Sequence, residues 1–444
     1  MKVREYNFKV PITFTFTELA ENIARKIPPF SQPVRFVVTH VDGKYWHCEV
    51  AVIEETSFDN GIFDFVPRSF ERTEKMTVVA IIPTGIGAEV GGDSGDGQAV
   101  MRLLASVSDR LITHPNTVNG ADIIETTANM LYVEGSTLAR FFMGSLGLLP
   151  TRANRILLAV DKRMQEDGEL TSLSINAASA ARMGLGANID VVIIESPPIA
   201  TILQSESGRA AGVIEGIETW YEQFAHYQND YDAFGISSLL FSDSSIYEDY
   251  FAGKISVNPW GGIEAILTHS LSLLLNRPIA HSPMYKSMEE IALPLGVVNP
   301  EMAAEAVSKT YLHCILKGLH TSPRLITRAA ELHLPGVLNA ADVNCLVIPE
   351  RCLGIPTLAA LLQGIKVIVV RDHHNVMKVN LNTLPWKRGQ LIQVENYAEA
   401  AGVIAALKGG ISLDSIQRPV LHTRILEAKK EGILVSKEVY SKQV

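Results

Sequence analysis

From about residue 76 onward, short unbroken apolar runs alternate with stretches at helical period. "MTVVAIIP", "RILLAVD", "NIDVVIIESPP", "VNCLVIPE" and "IKVIVVRD" are separated by segments such as "AVMRLLASVSD" and "GGIEAILTHSLSLLL". No other feature restricts the fold as much. A strand that is apolar at successive positions has to be covered on both faces, and helix-wrapped parallel sheets do this. The expected fold class is therefore α/β, a mainly parallel sheet covered by helices. In such folds ligands sit beyond the carboxyl ends of the strands, so the polar residues just past each apolar run are the first candidates for a site. The final stretch, "RPVLHTRILEAKKEG", reads as a terminal helix.

Residues 1–57 read differently. "FKVPITFTF" has strand character, and "TELAENIARKI" follows at helical period. Thr17 is a candidate N-cap, while Thr15 and Glu18 have capping-box spacing and move the start two residues earlier. "VRFVVTHVDGKYWHCEVAVI" reads as a hairpin turning at Asp42-Gly43. The expectation is a small α+β unit, β-α-β-β, joined by an irregular linker to an α/β domain over 76–444, possibly of two subdomains.

The chain has 444 residues, 47% of them hydrophobic, enough for a large core without staples. A net charge of -9 with no basic stripe argues against nucleic acid as the main partner. Cys48, Cys314, Cys345 and Cys352 form no CxxC pair, which argues against a disulfide framework or a cysteine zinc site. The start lacks the apolar core of a signal peptide, and no apolar run approaches the ~18 residues of a membrane span. These features predict a cytoplasmic protein without a membrane partner. A homo-oligomer is compatible with them.

The candidate chemistry begins at "IPTGIGAEVGGDSGDGQAV", where glycines and acids crowd the junction between an apolar run and a helix. Gly91, Gly92 and Gly95 can turn backbone N–H groups toward a ligand at a helix start, or simply make a turn. Asp93 and Asp96 would repel a phosphate unless a divalent cation lay between, and His373 in "RDHHNVM" is a further metal candidate; caps and a polar turn are the plain alternatives. The stretch matches neither a Walker loop nor GxGxxG, so no nucleotide or flavin fingerprint is present. His114, just past "RLIT", is a candidate acid, base or ligand, with Asn116 and Asn119 able to bind a carboxylate or close turns. Glu134 before "GSTLARFF" is a general base or a cap. "QSESGRAAG" reads as a helix start, with Ser207 and Arg209 suited to an anion. Glu264 and His269 lie five apart, about 140° around a helix, which weakens a shared metal site; Glu264 still points toward a strand-end cleft. His281 is a second strand-end histidine. Gly95 and His114, Gly262 and His281, and Gly354 and His373 share one spacing, a weak sign of internal repetition.

The motifs "PTGIGAEVGGDSGD", "LITHPNTVNGADI", "LYVEGSTLARF", "VNPWGGIEAILTH" and "IAHSP" occur in that order. Together they resemble an uncharacterised bacterial family defined only as a domain of unknown function, over about residues 76–375. The resemblance implies that these segments form one unit and implies no activity.

The residues themselves favour an enzyme of hydrolase or lyase type acting on a small polar, anionic metabolite. His114, Glu134, Glu264 and His281 would handle protons. The rival readings are a metabolite-binding or regulatory protein without turnover, and a structural assembly protein.

Overall fold

The computed structural model describes residues 1–56, 61–165, 168–242, 246–292, 295–420, 422, 423 and 425. Most of the terminal helix expected at 418–432 lies outside the described residues. The chain is a mixed α/β protein with two parallel sheets, one six-stranded antiparallel sheet and a short two-stranded one.

The first parallel sheet has six strands. In chain order they are Thr77–Ala80, Arg110–Thr113, Met130–Tyr132, Cys345–Pro349, Lys366–Val370 and Leu391–Val394. Across the sheet they run third, second, first, fourth, fifth, sixth, all parallel. This is the order of a doubly wound sheet, whose connections change direction between the first and fourth strands. Thr77–Ala80 and Cys345–Pro349, the two strands that meet there, are buried at every position.

The chain between the third and fourth strands carries the second parallel sheet. Its strands Arg155–Asp161, Asn188–Ile194, Ala233–Leu239 and Ile279–Met284 lie in the order second, first, third, fourth. The direction of winding again changes beside its first strand, so each sheet has a switch point of its own.

The antiparallel sheet corrects the expectation of a mainly parallel fold. The N-terminal segment has the expected β-α-β-β order: Lys2–Pro11, helix Phe16–Ala24, Gln32–Asp42 and Tyr45–Ile53. Its three strands do not make a sheet alone. Lys2–Pro11 also pairs with Ala210–Glu215, which pairs with Ile199–Gln204, while Leu353–Gly354 pairs with Gln32–Asp42 at the other edge. Bare strand edges are unfavourable in water, and distant segments cover both edges here. The helix starts at Thr15 rather than Thr17, but the expected capping box is absent. Thr15 makes no side-chain cap bond, and Glu18 accepts from the Thr13 hydroxyl at 2.5 Å.

A second correction concerns "QSESGRAAG". It forms the turn of the hairpin between Ile199–Gln204 and Ala210–Glu215, not a helix start. Gly208, at φ +88, allows the turn. The small residues Ala210, Ala211 and Gly212 let helix Trp260–Leu275 lie directly on the strand, with Gly262 against the Ala210 backbone. This helix is buried nearly all round. One apolar core joins Trp46 and Val50 of the antiparallel sheet, Phe141 and Phe142 of helix Gly135–Phe142, and Leu346 and Val367 of the first parallel sheet.

The repeat expected from glycine–histidine spacing is uneven. Gly95 and Gly354 precede helices as expected, but Gly262 lies within helix Trp260–Leu275 and His281 within strand Ile279–Met284.

Candidate functional site

A cavity of about 290 Å³ lies between the carboxyl edges of the two parallel sheets, with the antiparallel sheet as a third wall. Ile81 and Thr84 follow the first strand of the first sheet, Cys352 follows its fourth strand, and Pro283 closes the second sheet. The cavity therefore occupies the switch point of the doubly wound sheet, where this class of sheet leaves a crevice.

The glycine-rich stretch forms the loop from Thr77–Ala80 to helix Gln98–Val107. Gly85, Gly87, Gly91 and Gly95 have φ of +71, +59, +74 and +100, which accounts for the choice of glycine. Gly92 and Asp93 reach the cavity wall, whereas Gly91, Gly95 and Asp96 lie behind it. Asp96 accepts the Gly91 N–H at 2.8 Å, and the Asn116 amide donates to the Gly91 carbonyl at 2.6 Å. His373 lies outside the cavity wall and fastens the same loop. Its Nε2 accepts the Val90 N–H at 3.2 Å, and its Nδ1 meets the Tyr397 hydroxyl at 2.6 Å. Both His373 nitrogens thus have other partners, and the expected set of Asp93, Asp96 and His373 does not converge. Among the described residues, no group of three or more His, Cys, Asp or Glu is placed to hold a metal ion.

One wall is acidic. The Tyr250 hydroxyl donates to Asp93 at 2.5 Å, and the Ser94 N–H donates to Glu305 at 3.2 Å. Burial, reinforced by Asp93, pushes Glu305 up to about 8 and Asp96 up to about 7. Glu264, on helix Trp260–Leu275, is pushed up to about 8 by burial and then by Glu305, so it holds its proton at neutral pH.

Glu264 faces His281, with 3.8 Å between Oε1 and Nδ1. The Nε2 of His281 meets the Ser238 hydroxyl at 3.0 Å, and its buried Nδ1 has no hydrogen-bond partner. Burial pushes His281 down to about 3, so its ring is neutral. His114 is also pushed down to about 3, by burial and then by His269. Its Nε2 accepts the Ile82 N–H at 3.1 Å, which puts the ring proton on Nδ1. His114 and Asn116 line the cavity, as does Asn119, whose side-chain oxygen accepts from the Tyr132 hydroxyl at 3.1 Å.

Glu134 has the cap role weighed for it. It caps helix Gly135–Phe142, one oxygen accepting the Ser136 N–H at 2.9 Å and the other the Thr137 N–H at 3.1 Å. It also holds the Nε2 of His269 at 3.0 Å. That contact fixes the proton on Nε2 and leaves the lone pair on Nδ1, which has no hydrogen-bond partner. Burial pushes His269 down to about 4 against the pull of Glu134, with Arg35 adding to the depression. Sequence reasoning missed His269 as a site residue because only its angle to Glu264 was considered.

The antiparallel sheet supplies a buried ionic group around Arg209, one of the expected anion-binding residues; its other members, Glu5, Arg35 and Glu49, were missed. Arg209 pairs with Glu49 and lies 3.6 Å from Glu5, while Arg35 pairs with Glu5. Arg35 and Arg209 both line the cavity. Ser207 lies outside the cavity wall, and its hydroxyl meets that of Ser205 at 2.9 Å.

Fold and site thus define a mixed α/β protein with a cavity at a switch point. The chain belongs to the family described as protein of unknown function (DUF3326), whose model matches residues 77–417. A relative from Synechococcus sp. is 32% identical over 342 residues, covering 76% of this chain and 92% of the relative, and is named an uncharacterised lipoprotein. That name overturns the cytoplasmic location expected from the sequence. Among the described residues, no helix is long and apolar enough to cross a membrane. No solved structure matches the chain.

Proposed function

We propose that the protein is an enzyme of hydrolase or lyase type that moves protons on a small polar anion bound in the cavity. The carrying observation is His269, a cavity-lining residue that Glu134 holds through Nε2 and whose buried Nδ1 has no hydrogen-bond partner. Glu264, on the same helix and the same cavity, keeps its proton at neutrality. A neutral base and a protonated acid lining one cavity are the parts an elimination needs. Hydrolysis through a cysteine nucleophile is disfavoured, because burial raises the Cys314 and Cys352 thiols, the opposite of activation. Lyase chemistry, which needs only the base and the acid, is the reading we favour.

The second reading, a binding protein without turnover, is favoured by one observation. A pKa of about 4 makes His269 a weak base. The relative's name supports attachment of this chain to a membrane through lipid, a setting open to either reading.

The two are separated by incubating small carboxylic acids with the protein in D2O and following their C–H signals by NMR. The enzyme reading expects at least one acid to exchange a proton or undergo elimination, and expects His269→Gln to abolish this. Acids that bind but return with every C–H intact would establish the binding reading instead.

A further inference from the structure

We infer that the cavity grips the carboxylate of its ligand at one place, where Arg209 and Arg35 meet the start of helix Ile355–Gln363. The inference rests on reading the cavity as a small-anion site and names the group that the site holds.

Three segments far apart in the chain converge here. Arg209, from the hairpin turn, is 1% exposed; its Nη1 goes to Glu49, and its Nε has no hydrogen-bond partner. A guanidinium N–H without a partner is rare in a native interior unless a ligand or water completes it. Arg35, from strand Gln32–Asp42, has a side chain only 10% exposed and lines the same cavity. Helix Ile355–Gln363 follows strand Cys345–Pro349 at the switch point. Gly354 caps it without a side-chain bond. The N–H groups of Ile355 and Thr357 have no acceptor within the helix, and Pro356 has no N–H. Gly354 and Thr357 line the cavity beside the two arginines. A helix start at this position is where such sheets hold anions.

The charges select the class of anion. Two guanidinium groups face two carboxylates, Glu5 and Glu49, so the ionic group is neutral overall. What remains is the partial positive charge of a helix start, about half a unit, and the Arg209 Nε–H, which has no hydrogen-bond partner. One negative charge fits this. A phosphate dianion would leave more than a full charge unbalanced in a cavity whose wall also carries Asp93. The grip also lies close to the base, because Arg35 is one of the groups that depress His269. A carboxylate bound there would offset the Arg35 charge and make His269 more basic as the ligand arrives.

The test titrates acetate and inorganic phosphate against the full chain by ligand-observed NMR. Two variants are used: Arg209→Gln, and the double variant Arg209→Gln with Glu49→Gln. The second removes both charges, so that no unpaired carboxylate stays buried if the single variant fails to fold. Wild type is expected to bind acetate at least about tenfold more tightly than phosphate, and the folded double variant to lose about tenfold or more. Acetate binding is read without any turnover, which keeps this result independent of the acid–base reading. The inference is overturned if the double variant binds acetate like wild type, if phosphate binds as tightly as acetate, or if neither anion saturates wild type.

Discussion

Replacing Glu134 with Gln changes one oxygen to an NH2 group and almost nothing else in shape. The structure makes that change expensive. Each carboxylate oxygen accepts a different backbone N–H, from Ser136 at 2.9 Å and from Thr137 at 3.1 Å, and both residues are buried. An amide has one acceptor oxygen, so either rotamer leaves one of these N–H groups facing an NH2 group. A buried donor without an acceptor costs about 1–3 kcal/mol. Losing the negative charge at the helix start adds about 0.3–1 kcal/mol. Glu134→Gln should therefore destabilise the protein by about 1–4 kcal/mol in urea unfolding at pH 7. Glu134→Asp is the control. Aspartate is among the best N-caps, so stability should fall by less than about 1 kcal/mol. The shorter side chain withdraws from His269, and turnover should be lost all the same. If Glu134→Gln unfolds within about 0.5 kcal/mol of wild type, the carboxylate is not the cap described, and its hold on His269 loses its support.

The acidic wall predicts a stability that falls with alkali. Glu264 and Glu305 move from 4.5 to about 8 on folding, so the stability tied to their protons is complete below pH 4.5 and is lost as pH rises toward 8. His114, His269 and His281 are depressed from 6.5, so their share is complete above pH 6.5 and is lost as pH falls. The maximum should lie between about pH 4.5 and 6.5, and the decline from 6.5 to 8 should be shallower in Glu264→Gln; parallel melting curves for the two proteins would refute the assignment. Gly135→Ala should leave the fold standing, because alanine suits a helix, yet its Cβ would overlap the His269 ring and push it off Glu134. Turnover is expected to fall far more than melting temperature, and equal losses would count against a role for His269. Gly262→Ala should do the reverse, because its Cβ meets the Ala210 backbone, which cannot move aside cheaply. A loss of about 1–3 kcal/mol or more is expected in urea unfolding.

What a single chain reveals depends on how local the cause is. The parallel strands could be read from runs such as "IKVIVV" because burial on both faces is written into consecutive residues. His114, Glu134, Glu264 and His281 could be proposed for the same reason, since a strand end is a local event and ligands gather there. His269 failed a local test that did not apply. The angle between positions five apart rules out a shared ligand on one face, but helix Trp260–Leu275 is buried nearly all round and crosses a concave cavity, so it presents Glu264 toward His281 and His269 toward Glu134. The ionic group was harder still. Glu5 and Arg35 both lie opposite Ala51 in the antiparallel sheet, on strands either side of it, so they meet over a small residue. Charges spaced along strands that also carry apolar residues look like a face turned to water. Here that face is turned inward by segments from elsewhere: the hairpin that brings Arg209 and the strand Leu353–Gly354 that pairs with Val37 and Val38. Nothing near Glu5 or Arg35 in the chain records those neighbours. The same distance in sequence explains why the N-terminal segment read as a separate unit, although its Arg35, Phe36 and Val37 line the cavity.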